Sequence, residues 1–203
     1  MIIYVRALIR LILFFVISLS TVVLVALGNL VLGIFSKRWA VRWKNTVIRS
    51  WALGMVWLLG IKINVKGTPP NSPFFMVCNH LSYIDVVPLW LHVDATFIAK
   101  SEIKSWPFFG WGTRTLGVLF IDRELKRDVH RMNKRISDTI SDDQGVILFP
   151  EGTSTKGEQV VPFNAPLLKY PVTSQTPVHY ATISYRSQYE EWPAHLNICW
   201  WDD

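Results

Sequence analysis

The longest stretch without a charged side chain, residues 11–36, constrains this chain most strongly. It exceeds the roughly 20 apolar residues that a helix needs to span a bilayer. No small-x-small cleavage site follows it, which argues against a cleaved signal peptide. We therefore predict a membrane helix that either spans the bilayer or lies in its interface. The downstream basic cluster is larger than the upstream one and favours a cytoplasmic C-terminal side; it comprises Lys37, Arg38, Arg42 and Lys44.

The composition also indicates a membrane surface. The chain has 203 residues, ten of them Trp, and a net charge of +6. Trp favours the head-group layer, and basic residues favour acidic lipids. We expect no nucleic-acid partner, because the sequence has no Arg/Gly-rich tract, zinc spacing or helix-turn-helix signal. Cys78 and Cys199 lie far apart without CxxC spacing, which predicts neither a metal site nor a disulfide framework and fits a reducing compartment.

Residues 39–60 form an amphipathic pattern in which Trp and other apolar residues recur every three or four positions. That period predicts a helix. Basic residues lie between the apolar ones, as in helices that rest in the head-group layer. A helix packed on the rest of the protein is an equally good interpretation of the same pattern.

Beyond residue 60, short apolar runs alternate with helical patterns. This order indicates an α/β fold with a mostly parallel central sheet flanked by helices. We divide the chain into N-terminal membrane-anchoring helices, residues 1–60, and an α/β domain, residues 61–203. Residues 125–142 predict the clearest helix, whose basic face is either solvated or a docking patch for an acidic carrier protein or lipid. The predicted strands cover residues 61–66, 75–78, 94–100, 117–123, 145–149, 178–185 and 196–201.

A histidine follows the second of these strands, and an aspartate follows five residues later. Ser82-x-x-Asp85 before an apolar segment predicts a helix start with a capping box. His80 and Asp85 can therefore meet across a strand-to-helix turn. An imidazole held by a carboxylate is the minimal general-base unit. For an isolated pair, a helix cap beside an ordinary polar histidine is the competing interpretation.

Other polar residues also follow predicted strands. Arg123 ends the strand at residues 117–123, and Glu151-Gly152-Thr153 follows the strand at 145–149. In parallel sheets, ligand sites form beyond the carboxyl ends of the strands. We therefore expect these residues and His80 to share one crevice.

Together these residues resemble the glycerolipid acyltransferase family, whose best-known members acylate 1-acylglycerol-3-phosphate. The first family block matches Asn79-His80-x-x-x-x-Asp85. The resemblance covers about residues 60–200 and includes the family's other blocks in order. These are Lys100 with Pro107-x-x-Gly110 and Phe120-Ile121-Asp122-Arg123, then Phe149-Pro150-Glu151-Gly152-Thr153, then Pro177-Val178.

The resemblance implies a membrane-bound transferase with His80 as general base and Asp85 as its orienting residue. Arg123, Lys100 and the Glu151-Gly152-Thr153 turn would bind the acceptor, a lysophospholipid. The donor would be an acyl thioester of acyl carrier protein or coenzyme A, with no metal or other cofactor. Residues 61–203 would be the catalytic domain, on the cytoplasmic side of a bacterial inner membrane.

The sequence departs from the family pattern in ways that keep a second acceptor open. Ser154 stands where many members have Arg. The family's last block usually runs Pro-Val-x-Pro-Val, whereas here His179-Tyr180-Ala181 follows Pro177-Val178. A related acceptor such as a lyso-ornithine lipid therefore stays open beside 1-acylglycerol-3-phosphate. A membrane-associated hydrolase with Cys78 as nucleophile is the alternative from another class, although no Gly-x-Ser-x-Gly elbow is present. We expect Cys78 to be a buried strand residue.

Overall fold

The computed structural model describes residues 2–122, 126–159, 161–163, 165–187, 192 and 194–199. Arg123 lies outside these described residues. The helices are α1 Ile2–Phe35, α2 Lys37–Leu59, α3 Val86–His92, α4 Phe109–Thr115, α5 Lys126–Thr139, α6 Lys169–Ser174 and α7 Ala194–Asn197. The strands are β1 Phe75–Cys78, β2 Ala95–Lys100, β3 Leu119–Ile121, β4 Gly145–Leu148 and β5 Val178–Ala181. Three short 3₁₀ segments, Tyr83–Asp85, Ser101–Ser105 and Ala165–Leu168, connect some of them.

The five strands form one sheet in the order β3-β2-β4-β1-β5. All four pairings are parallel, so the carboxyl ends of the strands lie along the same edge. Helices flank the sheet, which confirms the predicted α/β architecture. β1 and β4 pair with each other, and each has a further neighbour, β5 and β2 respectively. The segments that follow these two strands are therefore adjacent.

The side chains of each strand divide between two hydrophobic layers, as the two-residue period of a strand requires. Met76, Phe97 and Ile147 face α2 and α3. Phe75, Ile98 and Val146 face the other layer, which contains Met132 and Ile136 of α5 and Tyr170 of α6. Burial of both faces explains why β1 to β4 are largely apolar, whereas the edge strand β5 is mostly exposed.

α1 and α2 form a tight antiparallel pair with only Ser36 between them. The indole N–H of Trp43 donates to the Leu24 carbonyl at 2.9 Å, and that of Trp51 donates to Ser18 Oγ at 3.1 Å. Gly28 permits the close approach, since a Cβ there would lie 2.0 Å from the Trp43 ring. The α2 helix ends at Gly60, which adopts a left-handed conformation (φ 69°).

Large apolar side chains are exposed on α1 from Ile3 to Phe35, and the exposed charges on this helix, Arg6 and Arg10, lie near its start. Residues 3–35 form a helix long and apolar enough to cross a membrane. Because water would disfavour so large an apolar surface, the helix fits membrane association. The structure agrees with the prediction of an N-terminal apolar helical segment.

The α2 helix packs on the sheet and is also tied to it by ion pairs. Arg38 and Arg42 each place Nε 2.7 Å from a carboxylate oxygen of Asp143, and Arg49 contacts Asp94 at 2.8 Å. These aspartates precede β4 and β2. The two arginine hydrogen bonds hold the pKa of Asp143 below its usual value. Of the two interpretations of residues 39–60, the structure shows the packed helix, although Trp39 and Trp57 on its outer side are exposed.

Lys44 lies on the buried side of α2. Its ammonium donates to the side-chain carbonyl of Gln144, just before β4. Burial lowers its pKa to about 8, and the charge of Asp94 opposes that shift. The contact therefore joins α2 to the amino-terminal edge of the sheet, opposite the edge where His80 lies.

Two of the predicted strands are wrong. Residues 61–66 form no strand, because this segment is largely exposed and pairs with none of the five strands. Its alternating pattern reflects two half-buried isoleucines in an irregular segment. The predicted strand at 196–201 overlaps α7 instead, and its last two residues lie outside the described part of the chain. A short apolar run does not distinguish a helix from a strand. The predicted strand at 178–185 ends earlier, at Ala181.

We predict that α2 is part of the same cooperative unit as the sheet, although the sequence places a boundary at residue 60. Met55 of α2 is 1% exposed within the layer that covers the sheet. Met55→Ala should reduce the free energy of unfolding by about 2–5 kcal/mol, because it leaves a cavity in that layer. Leu53→Ala, at a position that is 56% exposed, is the matched control. Thermal unfolding in detergent measures both, and equal melting temperatures would contradict the prediction.

Candidate active site

The turn after β1 brings His80 and Asp85 together. Ser82 and Asp85 form the predicted capping box around the 3₁₀ segment Tyr83–Asp85, which leads directly into α3. Ser82 Oγ accepts from the Ile84 N–H at 3.4 Å, while Asp85 Oδ2 accepts from the Ser82 N–H at 3.1 Å. The cap and the His80 contact therefore share one carboxylate, so capping of the turn and pairing with His80 are compatible.

His80 Nδ1 lies 2.8 Å from Asp85 Oδ2. The same oxygen accepts a hydrogen bond of 2.7 Å from the Leu81 backbone N–H. Asp85 is fully buried, whereas the His80 side chain is 17% exposed. Burying a carboxylate is costly unless donors satisfy its oxygens, and these contacts supply such donors. The carboxylate fixes the tautomer with a proton on Nδ1.

The imidazole ring of His80 is also held by stacked aromatic rings. It stacks on Phe149 with ring centroids 4.1 Å apart and an interplanar angle of 16°. Phe149 stacks in turn on Phe97 at 5.6 Å. Among the described residues, none forms a hydrogen bond with His80 Nε2. The ring is thus fixed in position, and its second nitrogen is available to accept a proton.

The loop after β4 supports the histidine turn. Glu151 Oε1 accepts from the His80 backbone N–H at 3.2 Å, and its other oxygen accepts from the Val161 N–H at 3.4 Å. Thr155 donates its N–H to the His80 carbonyl at 2.9 Å. Glu151 is buried. These contacts give Glu151 a role in shaping the turn, beside which its predicted contact with the acceptor stays a prediction.

The other predicted acceptor-binding residues lie along the same sheet edge. Gly152 takes a positive φ of 78° and donates its N–H to the Phe149 carbonyl at 3.1 Å. Thr153 follows it in the turn and is half-buried. Lys100 ends β2, which lies across β4 from the strand that carries His80. The structure thus brings His80, Asp85 and Glu151 into contact and places Lys100 further along the edge.

Part of the basic charge on α5 is used within the protein. Arg131 pairs with Asp128 at 2.6 Å, and Arg135 donates to the Phe120 carbonyl at 3.1 Å. The carboxylate of Asp128 also accepts from the Asp122 N–H at 2.8 Å. These contacts tie α5 to the end of β3, so the helix is more than a solvated basic face.

Two residues at the site have no role in the sequence-based prediction. The Tyr185 hydroxyl donates to Asp85 Oδ1 at 2.6 Å. Asn79 exchanges two hydrogen bonds with the backbone of Ile183, at 2.9 Å to its carbonyl and 2.7 Å from its N–H. The two contacts join residues 100 and 104 positions apart, so no local sequence pattern predicts them.

Cys78 is buried in β1, as expected. Burial, followed by the negative charges of Asp85 and Glu151, raises the pKa of its thiol to about 12. Because the nucleophile in cysteine chemistry is the thiolate, Cys78 is unsuited to covalent catalysis at neutral pH. This weakens the hydrolase alternative.

We predict that native Cys78 resists alkylation by iodoacetamide at pH 8. With a pKa of about 12, only about one thiol in ten thousand is ionised at that pH. The measurement is intact mass with peptide mapping over time. The control is the same protein unfolded in guanidinium, where Cys78 and Cys199 should both react. Equally fast labelling of Cys78 in the native protein would contradict the prediction.

The geometry can be compared with known proteins. Residues 62–184 match the family model described as Acyltransferase. A lyso-ornithine lipid O-acyltransferase from Pseudomonas aeruginosa is 31% identical over 143 residues, which cover 70% of this chain and 55% of that protein. One from Rhodobacter capsulatus is 32% identical over 150 residues, covering 72% and 53%. A 1-acyl-sn-glycerol-3-phosphate acyltransferase from Neisseria meningitidis is 29% identical over 144 residues, covering 70% and 56%.

A solved structure shares the fold. The 1-acyl-sn-glycerophosphate acyltransferase PlsC from Thermotoga maritima superposes with a TM-score of 0.60 and 25% identity, covering 85% of this chain and 73% of that one. The chain spans about half the length of the curated relatives it matches. Because the family model covers more than half of the sequence, including His80, Asp85 and Glu151, the chain belongs to the acyltransferase family.

Proposed function

We propose that the protein is a membrane-associated O-acyltransferase that moves a fatty acyl group from a thioester to the hydroxyl of a lyso-lipid. The observation that carries this proposal is the His80–Asp85 pair. Its Nδ1 side is bound to a buried carboxylate at 2.8 Å, and its Nε2 side is available at the carboxyl edge of the sheet. That arrangement suits a general base.

In the proposed reaction, Nε2 of His80 accepts the proton of the acceptor hydroxyl while that oxygen attacks the thioester carbonyl carbon. The carbonyl carbon–sulfur bond then breaks, and the leaving thiolate takes the proton from Nε2. Asp85 stays ionised and stabilises the imidazolium that forms between these events. The products are the acylated lipid and the free thiol of the donor. No enzyme-bound acyl group is formed.

An aromatic path supports the approach of apolar chains from the membrane side. Phe15 of α1 contacts Phe108 with ring centroids 5.3 Å apart. Two residues before Phe108, Trp106 packs edge-on to Tyr83 at 5.7 Å, and Tyr83 lies 6.5 Å from the His80 ring. Because the path connects the apolar helix with the base, we propose that substrate acyl chains lie along it.

The acceptor remains to be chosen between two lyso-lipids. The motif resemblance gives 1-acylglycerol-3-phosphate first, with Arg123 and Lys100 as partners for its phosphate. Ser154 replaces an arginine that many family members have at this position, which removes one positive charge from the turn. Two of the relatives compared above act, by name, on lyso-ornithine lipid. We therefore propose lyso-ornithine lipid, whose head group carries a carboxylate and an ammonium, as the preferred acceptor.

The donor is proposed to be an acyl thioester of acyl carrier protein or coenzyme A. Such thioesters are found in the cytoplasm, and a cytoplasmic α/β domain would also keep Cys78 and Cys199 reduced. We propose that α1 attaches the protein to a bacterial inner membrane with residues 61–203 on the cytoplasmic side.

We predict that His80→Ala lowers kcat about 10²–10⁴-fold, the usual range for loss of a general base. Asp85→Asn should lower it about tenfold or more, because an amide does not hold the required tautomer. His92→Ala is the matched control, since His92 is exposed at the opposite end of α3. The assay is thioester consumption by purified protein with an unchanged melting curve. A folded His80→Ala variant with full activity would overturn the assignment.

We predict a higher kcat/KM for lyso-ornithine lipid than for 1-acylglycerol-3-phosphate. Ser154→Arg should raise kcat/KM for the phosphate acceptor by about tenfold to a hundredfold, because one charge-assisted hydrogen bond contributes roughly 1.5–3 kcal/mol.

Arg123→Lys should raise the KM of the acceptor and leave that of the donor unchanged. The measurement offers each acceptor with each donor. A preference for 1-acylglycerol-3-phosphate in the unmodified protein would contradict the acceptor proposal.

We predict that protease added to the cytoplasmic face of oriented vesicles digests residues 61–203. The expected orientation follows from the basic cluster after α1. Protease added only to the opposite face should leave the domain intact. Digestion from that opposite face alone would show that the proposed orientation is wrong.

A further inference from the structure

The two oxygens of Asp85 are held by different parts of the chain. Oδ2 accepts from His80, Leu81 and Ser82, all within the same turn. Oδ1 accepts from the Tyr185 hydroxyl at 2.6 Å, and no other described residue donates to it. Among the described residues, Tyr185 is therefore the one whose hydrogen bond ties the Asp85 carboxylate to another segment.

This contact matters because Asp85 is fully buried. Without Tyr185, Oδ1 would lack a donor in a place that water does not reach, and a buried oxygen without a donor is costly. The carboxylate plane would also be held at one edge only. Burial of Tyr185, followed by the negative charge of Asp85, raises the pKa of the phenol, so it remains a donor across the neutral range.

The segment that carries Tyr185 is positioned by Asn79. β5 ends at Ala181, but residues 181–187 continue with alternating half-buried and exposed positions. The Asn79 amide pairs with both backbone groups of Ile183, as a neighbouring strand would. Ile183 packs against the hydrophobic layer. Two residues later on the same side of an extended segment, Tyr185 meets Asp85.

We infer that Tyr185 is a positioning residue for the His80–Asp85 pair, and that Asn79 acts through it by fixing the segment after β5. The inference rests on the proposed acyl transfer. It gives the asparagine beside the catalytic histidine a physical role: its amide joins the end of β1 to the segment that completes the support of the carboxylate.

The Tyr185 hydrogen bond should also affect the pH dependence of kcat/KM. A hydrogen bond from Tyr185 shares the charge of Asp85 and weakens its pull on the His80 proton. Removing that bond should raise the pKa of the His80 imidazolium, so the acid limb of kcat/KM should move to higher pH. The other titratable groups beside the pair, within the described part of the chain, include Tyr83 from the 3₁₀ segment, Cys78 from β1, Glu151 from the loop after β4 and Cys199 near the C-terminal end, and they stay unchanged.

The test is Tyr185→Phe in the full chain, purified in detergent, with Tyr180→Phe as matched control because Tyr180 is 85% exposed. For Tyr185→Phe we expect kcat to fall about tenfold or more, the value of one charge-assisted hydrogen bond. KM for both substrates should change less than twofold, and the acid limb should rise by about half a pH unit. An unchanged kcat and pH profile, or a change in KM alone, would overturn the proposal.

Two further measurements keep the proposal separate from the proposed function. Titration of His80 by nitrogen-15 NMR reports its pKa without turnover, so a rise in Tyr185→Phe supports the positioning role even if neither acceptor is used. An unchanged pKa refutes it. Asn79→Ala should also reduce kcat, as Tyr185→Phe does. When Tyr185→Phe is already present, adding Asn79→Ala should reduce kcat much less. Full additivity of the two variants would show that Asn79 does not act through Tyr185.

Discussion

The buried carboxylate of Asp85 is the interaction on which the site depends. It caps the turn after β1, binds Nδ1 of His80 and accepts from Tyr185, a residue 100 positions away. A buried charge is tolerated only when its oxygens are satisfied. Local capping, base orientation and long-range attachment of the chain are therefore one requirement, met by a single side chain. A change at Asp85 should affect all three together.

The parallel sheet explains why distant segments converge on that carboxylate. β1 lies between β4 and β5, so the loop after β4 and the segment after β5 flank the histidine turn on either side. Glu151 and Thr155 support it from the first side, and Tyr185 supports it from the second. The α1–α2 pair covers one face of the sheet, and α1 carries the apolar surface that fits a membrane. The fold thus places the His80–Asp85 pair beside the rings of Tyr83 and Trp106, along which we propose that acyl chains lie.

The sequence predicts the features that depend on local patterns. The capping box, the buried strands and the helical period of α2 and α5 are all set by residues a few positions apart. The segment at residues 61–66 shows where this fails, because an alternating pattern alone does not make a strand; a neighbouring strand must also be available to pair with it. The contacts of Tyr185 with Asp85 and of Asn79 with Ile183 were missed because each joins residues at least 100 positions apart; the first family block contains Asn79 and Asp85 but neither partner. Arg123 was predicted from the motif and lies outside the described residues.

The tautomer of His80 shows most directly whether its Nε2 can accept a proton. Nitrogen-15 NMR of histidine-labelled protein in detergent can be assigned by comparison with His80→Ala, since the chain has five histidines. We predict a proton on Nδ1, held by Asp85, and an unprotonated Nε2 above the pKa of the imidazolium. Asp85→Asn should abolish this preference. A proton on Nε2 in the unmodified protein would contradict the account, because that nitrogen would then be unable to accept the proton of an acceptor hydroxyl.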